Sequence, residues 1–420
     1  MSRISLFLPC AAGVEPLLAD EVAQLAGRTA EITRGGVWVK GDHRLAMLLN
    51  LESRLAQRVL WPLVEGRYRD EHDLYHIARD VDWPAWITPE QTLRVDVAAQ
   101  RSPLQSLNFA ALRIKDAVCD VLRDATGARP SVDTRSPDLP LMLYVGPEDM
   151  TLYVDLSGEA LFKRGWREVQ GEAPLKETLA ASMPAAAGWQ GRPQDGPLLD
   201  PCCGAGTIVI EAAQIACGIA PGSQRRFAFE RMLPFRPHLA EWRALQQAAQ
   251  ARVHAPAVPI FAGDVSFRMT DFATRNAERA GVRHAIDFKT MDALQRPAPA
   301  PTGTILMNPP YGERMAPKGK GQTASRESFE GGGSAAEFFG PLASHWKRHY
   351  PGWTAWLLSP DMKLPSLMRL KESRRVPMWN GPIECRMFRF DMVAGSNKAD
   401  GVVSPAPNPV PNPAPSPAGG

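Results

Sequence analysis

Leu198-Leu199-Asp200-Pro201-Cys202-Cys203-Gly204-Ala205-Gly206-Thr207 is the stretch on which the fold turns. A short apolar run enters a glycine-rich turn, and a helix starts at Thr207. Glycines there let the backbone approach a ligand closely, and the N–H groups of a helix N-terminus face a carboxylate or phosphate. Alone, the same residues make a plain tight turn equally well. The G-x-G-x-x-G spacing of dinucleotide sites is not met, because Val209 stands where the third glycine would be. That disfavours a dehydrogenase.

Outward from this turn the same grammar repeats. Apolar runs at Val258 to Ala262, Ile286 to Thr290, Thr304 to Met307 and Thr354 to Leu358 alternate with helical stretches. Short buried runs separated by helices predict an α/β domain with a mainly parallel sheet covered on both faces. Asp264 closes the run Phe261-Ala262-Gly263-Asp264 and can accept both hydroxyls of a ribose; it can equally cap the helix that follows Ser266. Asp292 follows the next run and can accept from an adenine amine, or simply cap a loop.

Met307-Asn308-Pro309-Pro310-Tyr311-Gly312 follows the fourth run. Asn308 presents a carbonyl oxygen, and Pro309 has no N–H, so the local backbone offers acceptors with few competing donors. Two acceptors hold both hydrogens of an –NH₂ group and aim its lone pair. Tyr311 supplies a flat face for a ring. Asn-Pro is also a turn signal. The four motifs come in order, each at the carboxyl end of a successive strand, where open α/β sheets bind ligands.

The first ~160 residues read as α+β. A strand at Ile4 to Pro9, a helix through Val14 to Leu25 stopped by Gly27, and a strand at Val37 to Lys40 open the chain. A helix over Leu45 to Leu60, a strand around Leu93 to Val97, a helix from Ala111 to Leu122 and strands at Leu141 to Val145 and Leu152 to Leu156 follow. The basic-aromatic run Lys163-Arg164-Gly165-Trp166-Arg167 suits RNA phosphates and bases, as do Arg101, Arg113 and Lys115; a solvated surface with one packed Trp accounts for each of these residues equally well. A helix beginning near Leu175 leads into a linker at Pro193 to Pro197. Lys318 to Ser334 and Ala394 to Gly420 are too Gly-, Ser- or Pro-rich to bury a core.

The bulk composition is that of an ordinary globular chain, and a net charge of +3 identifies no partner. The six cysteines form no C-x-x-C pair and no disulfide framework, so no metal is expected and a reducing cytoplasm is the simplest compartment. The chain shows no signal-peptide core and no membrane-length apolar run.

These motifs resemble motifs I and IV of amino-methylating class I S-adenosylmethionine-dependent methyltransferases. Nearly end to end, residues 1 to about 392 resemble the bacterial 23S ribosomal RNA guanine-N2 methyltransferase L family. The likeness rests on Gly35-Gly36-Val37, Ser53-Arg54-Leu55-Ala56, Asp155-Leu156-Ser157-Gly158, Pro174 to Ala180, Asn308 to Arg314 and Asn380-Gly381-Pro382. It implies a ferredoxin-like piece (1–43), a THUMP RNA-binding domain (44–157), a linker with a helix covering the cofactor (158–196), a Rossmann-like class I methyltransferase domain (197–392) and a disordered tail (393–420). The cofactor implied is S-adenosylmethionine, held by Asp200, Cys203, Gly204, Gly206 and Thr207, by Asp264 and Asp292, and by Lys176, Glu177 and Thr178. Asn308, Pro309, Pro310 and Tyr311 would be catalytic, and ribosomal RNA the partner. Cys202 stands where a Met is more usual. Some relatives carry a second methyltransferase domain after this point, and that second activity is expected to be absent. Methylation of tRNA guanine, of adenine N6 or of protein glutamine, and a non-catalytic role in ribosome assembly, are the alternatives.

Overall fold

The computed structural model describes residues 4–168, 175–309 and 335–393. Pro174, Pro310, Tyr311, the 318–334 segment and the 394–420 tail lie outside the described residues.

The N-terminal half runs β1 (Ile4–Pro9), α1 (Glu15–Ala26), β2 (Glu31–Thr33), β3 (Gly36–Gly41), α2 (His43–Glu52), β4 (Leu60–Arg67), α3 (Glu71–Arg79), β5 (Thr92–Ala99), α4 (Leu107–Thr126), β6 (Ser131–Val132), β7 (Leu139–Val145) and β8 (Asp149–Asp155). All eight strands form one sheet, ordered β2-β3-β1-β4-β8-β7-β5-β6. The pair Phe7↔Leu60 joins the two parts at β1 and β4. The opening piece and the following domain therefore share a sheet. Gly27, in the left-handed region at φ 61°, ends α1 as its residue type predicts.

The helix expected over Leu45 to Leu60 is corrected. It ends at Glu52, and Leu60 begins β4. The reason is tertiary. The Glu21 carboxylate on α1 accepts the Ser53 hydroxyl at 2.6 Å and the Arg54 N–H at 2.8 Å. Those contacts fix Ser53 in extended backbone, and Leu55, Ala56 and Val59 are buried in the irregular link that follows.

The second half contains α5 (Glu177–Ala187), β9 (Leu198–Asp200), α6 (Thr207–Ala216), α7 (Leu239–Ala251), β10 (Ile260–Asp264), α8 (Phe267–Arg279), β11 (Ile286–Thr290), β12 (Gly303–Met307), α9 (Ala335–His349), β13 (Trp353–Ser359), α10 (Leu364–Met368), β14 (Arg374–Asn380) and β15 (Ile383–Asp391). Its sheet is ordered β11-β10-β9-β12-β13-β15-β14. The first five strands are parallel, and β15 and β14 join antiparallel. The sequence reading did not find that last hairpin. Its Asn380-Gly381 turn, with Gly381 at φ 61°, was the available signal. The hairpin closes back on the first domain: Trp379 N–H donates to Ala12 at 3.0 Å. A Cβ on Gly13 would lie 2.3 Å from the Pro377 carbonyl, so only glycine permits that approach.

A buried ionic cluster joins the halves. Glu211 of α6 is fully buried and pairs with Arg164 at 3.0 Å and with Arg54 at 3.3 Å. Arg164 also donates to the Arg54 carbonyl at 2.8 Å. Breaking a buried pair from one side leaves an uncompensated charge. Arg164→Ala is expected to lower unfolding stability by about 3 kcal/mol in a denaturant titration. Adding Glu211→Ala should recover part of that loss, and a strictly additive double variant would contradict the pairing.

Candidate active site

The carboxyl ends of β9, β10, β11 and β12 lie along one edge of the parallel sheet. β9 ends at Asp200, which is buried and accepts the Cys202 N–H at 3.1 Å. The turn is tied to the neighbouring strand by Cys203 N–H, which donates to the Gly263 carbonyl at 2.7 Å. Gly206, at φ +87°, lets the turn pack on α8, since a Cβ there would meet that of Ala273 at 3.0 Å. Gly204 is different. A Cβ on it would meet nothing closer than Met269 Cε at 3.8 Å, so this face of the turn is open. α6 begins with no side-chain cap, which leaves its first N–H groups available to an anion.

Asp264 does what its bland reading allowed: its two oxygens accept Gly204 N–H and Ser266 N–H, each at 3.0 Å. A carboxylate has about four acceptor positions, so this clamp and ribose binding are compatible. Asp292 likewise accepts Leu294 N–H at 2.9 Å. Beside the two acids, Val265 (60% exposed), Phe267 (76% exposed) and Met291 present apolar surface to solvent. A flat apolar group such as a purine would cover it.

Arg167 ties the approaching segment to this turn. Its guanidinium donates to Glu177 Oε1 at 2.7 Å, to Thr207 Oγ1 at 2.7 Å and to the Leu175 carbonyl at 3.0 Å. Glu177 and Thr178 are buried, and Lys176 is exposed with its ammonium 5.0 Å from the Phe162 ring. Burial pushes the Glu177 carboxyl up, against the pull of Arg167. β12 delivers Asn308, half-buried, and Pro309, buried, next to β9.

The basic-aromatic run requires a correction. Arg164 and Trp166 are 2% and 1% exposed. Arg164 is committed to Glu211, and Trp166 fills the core, so neither faces a nucleic acid. Arg167 is spent on Glu177 and Thr207. Of that run only Lys163 is an exposed cation, paired with Glu159 at 2.8 Å. Lys115 pairs with Asp116, and Arg113 lies over the Tyr75 ring at 4.3 Å. Arg101 is exposed in a left-handed turn.

Sequence reasoning missed Arg296. It is buried, donates to the Ala262 carbonyl at 2.7 Å, and occupies space that a Cβ on Gly263 would fill. Its charge acts on Asp200 from beneath the turn. An arginine in a Pro/Ala-rich loop carries no pattern that would have revealed this. Among the described residues no group of three or more His, Cys, Asp or Glu is placed to hold a metal.

A glycine-rich turn after β9, an acid ending β10 and another just after β11, and Asn-Pro directly after β12, on a parallel sheet with an antiparallel closing hairpin, define a class I methyltransferase domain. Residues 164–389 match the RMKL-like methyltransferase domain, more than half of the chain, and the protein belongs to that family. Residues 68–155 match the THUMP domain and residues 5–60 the RlmL ferredoxin-like domain. The chain is 34% identical over 411 residues to the ribosomal RNA large subunit methyltransferase K/L of Shewanella baltica, covering 96% of this chain and 55% of that one. The protein of the same name in Shewanella pealeana is 35% identical over 400 residues, covering 94% and 54%. The chain thus spans about half the length of the curated relatives it matches. Among solved structures, a provisionally named methyltransferase complexed with SAH matches with a TM-score of 0.80 and 25% identity, over 95% of this chain and all of that one. A predicted N6-adenine-specific DNA methylase from Listeria monocytogenes matches at 0.79 and 26%, over 93% and 96%.

Burial pushes the Asp200 carboxyl up from 3.8 to about 8; the nearby Asp264 charge adds to this, and the Cys202 N–H and Arg296 oppose it. A raised carboxyl favours the folded state while protonated, so its contribution is lost as pH rises from about 4 to about 8. Asp200→Asn should therefore gain on the wild type in denaturation midpoint between pH 5 and pH 9. An equal difference at both pH values would refute the assignment.

Proposed function

We propose that this protein transfers a methyl group from S-adenosylmethionine to the exocyclic N2 amine of a guanine in 23S ribosomal RNA, in the cytoplasm. The observation that carries the reading is the placement of Asn308 and Pro309 at the end of β12, beside the strand that ends in buried Asp200. Matches to a THUMP domain and to ribosomal RNA methyltransferases support RNA as the substrate. All six cysteines are free thiols, which suits a reducing compartment, and no helix among the described residues is long and apolar enough to cross a membrane.

The residues present fit the cofactor. Asp200 is a buried carboxyl suited to a cationic amino group, the turn at Gly204 is open, and Asp264 and Asp292 flank apolar surface for the adenine. Glu177, at the start of α5, is tied through Arg167 to Thr207, the first residue of α6. Bound there, S-adenosylmethionine supplies a methyl group already activated on sulfonium. The protein's contribution is then alignment. The Asn308 side-chain oxygen and the Pro309 carbonyl accept the two amine hydrogens and turn the nitrogen lone pair toward the methyl carbon. No strong base is required beforehand, since the methylated amine is acidic and loses its proton readily. A base inside a helix has to leave the stack to reach this pocket. Tyr311 would stack on it.

The name of the Listeria structure favours a second reading, adenine N6 as the acceptor. The test is incubation with labelled S-adenosylmethionine and ribosomal RNA from cells lacking the gene, followed by digestion to nucleosides. Label is expected in N2-methylguanosine; label in N6-methyladenosine would replace the base assignment. Asn308→Ala should lower kcat about 100-fold with cofactor affinity unchanged. A cation beside Asp200 favours its ionised form, so cofactor binding should release a proton. Affinity measured by calorimetry should rise with pH by up to about tenfold per unit and flatten near pH 8, and this dependence should vanish in Asp200→Asn.

A further inference from the structure

A cleft of about 620 Å³ opens where the THUMP region, the linker and the methyltransferase domain meet. Three separate parts of the chain build it. Arg94 of β5 and Arg135 of the β6–β7 connection come from the first domain. Lys163 comes from the linker, and Arg226 and Arg231 from the segment between α6 and α7. Arg58, just before β4, also lines it.

The acids nearby are largely consumed. Glu230 caps the Phe227 N–H at 2.8 Å, and Glu159 holds Lys163. Arg58 is paired with buried Asp155, Arg94 with Asp96 at 2.8 Å, and Arg231 with Asp138 at 3.5 Å. Arg135 and Arg226 are exposed, and among the described residues their side chains make no ion pair or hydrogen bond. The cleft thus has two uncommitted guanidinium groups and four further cations with their carboxylates, of which Glu159 lines the cleft and Asp96, Asp138 and Asp155 do not. A surface of this kind recruits closely spaced anions that accept from guanidinium forks.

The rims of the cleft are also tied together. Arg225, next to Arg226, donates to the carbonyls of Ala160 (2.8 Å), Lys163 (3.0 Å), Glu159 (2.6 Å) and Ser157 (3.3 Å). One side chain therefore fastens the linker rim to the methyltransferase rim. Its place relative to the active site follows from the chain. Lys163 is four residues before Arg167, whose side chain touches Thr207 at the glycine turn, so at most ~14 Å of backbone plus the length of that side chain separates cleft from turn.

We propose that this inter-domain cleft is a docking site for the phosphodiester backbone of the RNA strand, with Arg135 and Arg226 gripping phosphates from opposite domains. It rests on the reading of RNA as substrate. Phosphate contacts position a strand without reading its sequence. Here they would set the register in which a nucleotide is presented at Asn308, and they would tie the two domains to one strand.

The test uses the full chain, with Arg135→Glu and Arg226→Glu made separately. Binding to a fluorescent large-subunit ribosomal RNA fragment is followed by anisotropy across a salt series, with methyl transfer to the same RNA. S-adenosylmethionine affinity serves as the check on folding. Each variant is expected to bind RNA about tenfold more weakly and to lower the slope of log affinity against log salt by about one, with a raised KM for RNA and unchanged cofactor affinity. Unchanged RNA affinity and salt slope in both variants, with methyl transfer intact, would sink the cleft and leave the substrate reading standing. Wild-type protein that neither binds nor methylates RNA, while still binding S-adenosylmethionine, would sink both. Tighter or equal binding of an acidic peptide that competes RNA away would assign the cleft to a protein partner instead.

Discussion

Glu211 is a carboxylate with no exposure to solvent, on the helix that begins at the glycine turn. A charge in that position is tolerable only if it is paired and hydrogen-bonded. Arg164 from the linker and Arg54 from the end of the first helical layer meet that requirement together. The consequence is geometric. The linker cannot leave α6, and the N-terminal sheet cannot leave the linker, without stranding a buried charge. Glu21 extends the same logic by holding Ser53 and Arg54 in extended backbone. Burial pushes its carboxyl up while the N–H and hydroxyl donors hold it down. These few ions thus tie the N-terminal sheet, the linker and α6 together.

Around that anchor the site is assembled from strand ends. Each of its elements supplies a short piece that would be unremarkable alone, and the sheet order brings them to one edge. Asp264 shows why such residues resist assignment in isolation. It clamps the glycine turn through Gly204 and caps Ser266, which is structural work, and that same clamp holds the turn where its open face can meet a ligand. Arg296 beneath the turn is a second support of this kind, visible only once the fold places it against Gly263.

The linker run illustrates the opposite case. Lys163, Arg164, Trp166 and Arg167 look like one basic-aromatic patch when read along the chain. In the fold they alternate between solvent and core: Lys163 is exposed, Arg164 and Trp166 are interior, and Arg167 is bound to Glu177 and Thr207. Within the cleft, and among the described residues, the cations without an ion pair or hydrogen bond are Arg135 and Arg226, which lie far apart in sequence and share no motif. Similarly, the apolar spacing through Leu45 to Leu60 satisfies a helix, but an acceptor on α1 competes for the backbone donors at Ser53 and Arg54.

What the sequence by itself determined is the order and type of the elements that carry the site. Apolar runs with glycine turns, strand-end acids and Asn-Pro are local patterns, and local backbone preferences express them wherever they occur. The same holds for the Gly27 stop of α1. Only the tertiary structure decided which charges are buried and which are available. It also decided where the helix after Asp42 stops, how the closing hairpin at Asn380-Gly381 packs on Gly13, and which arginines share a cleft. These depend on contacts between residues distant in sequence, from Glu21 with Ser53 to Arg54 with Glu211. Desolvation and ion pairing act on three-dimensional neighbours, and spacing along the chain does not encode who those neighbours are.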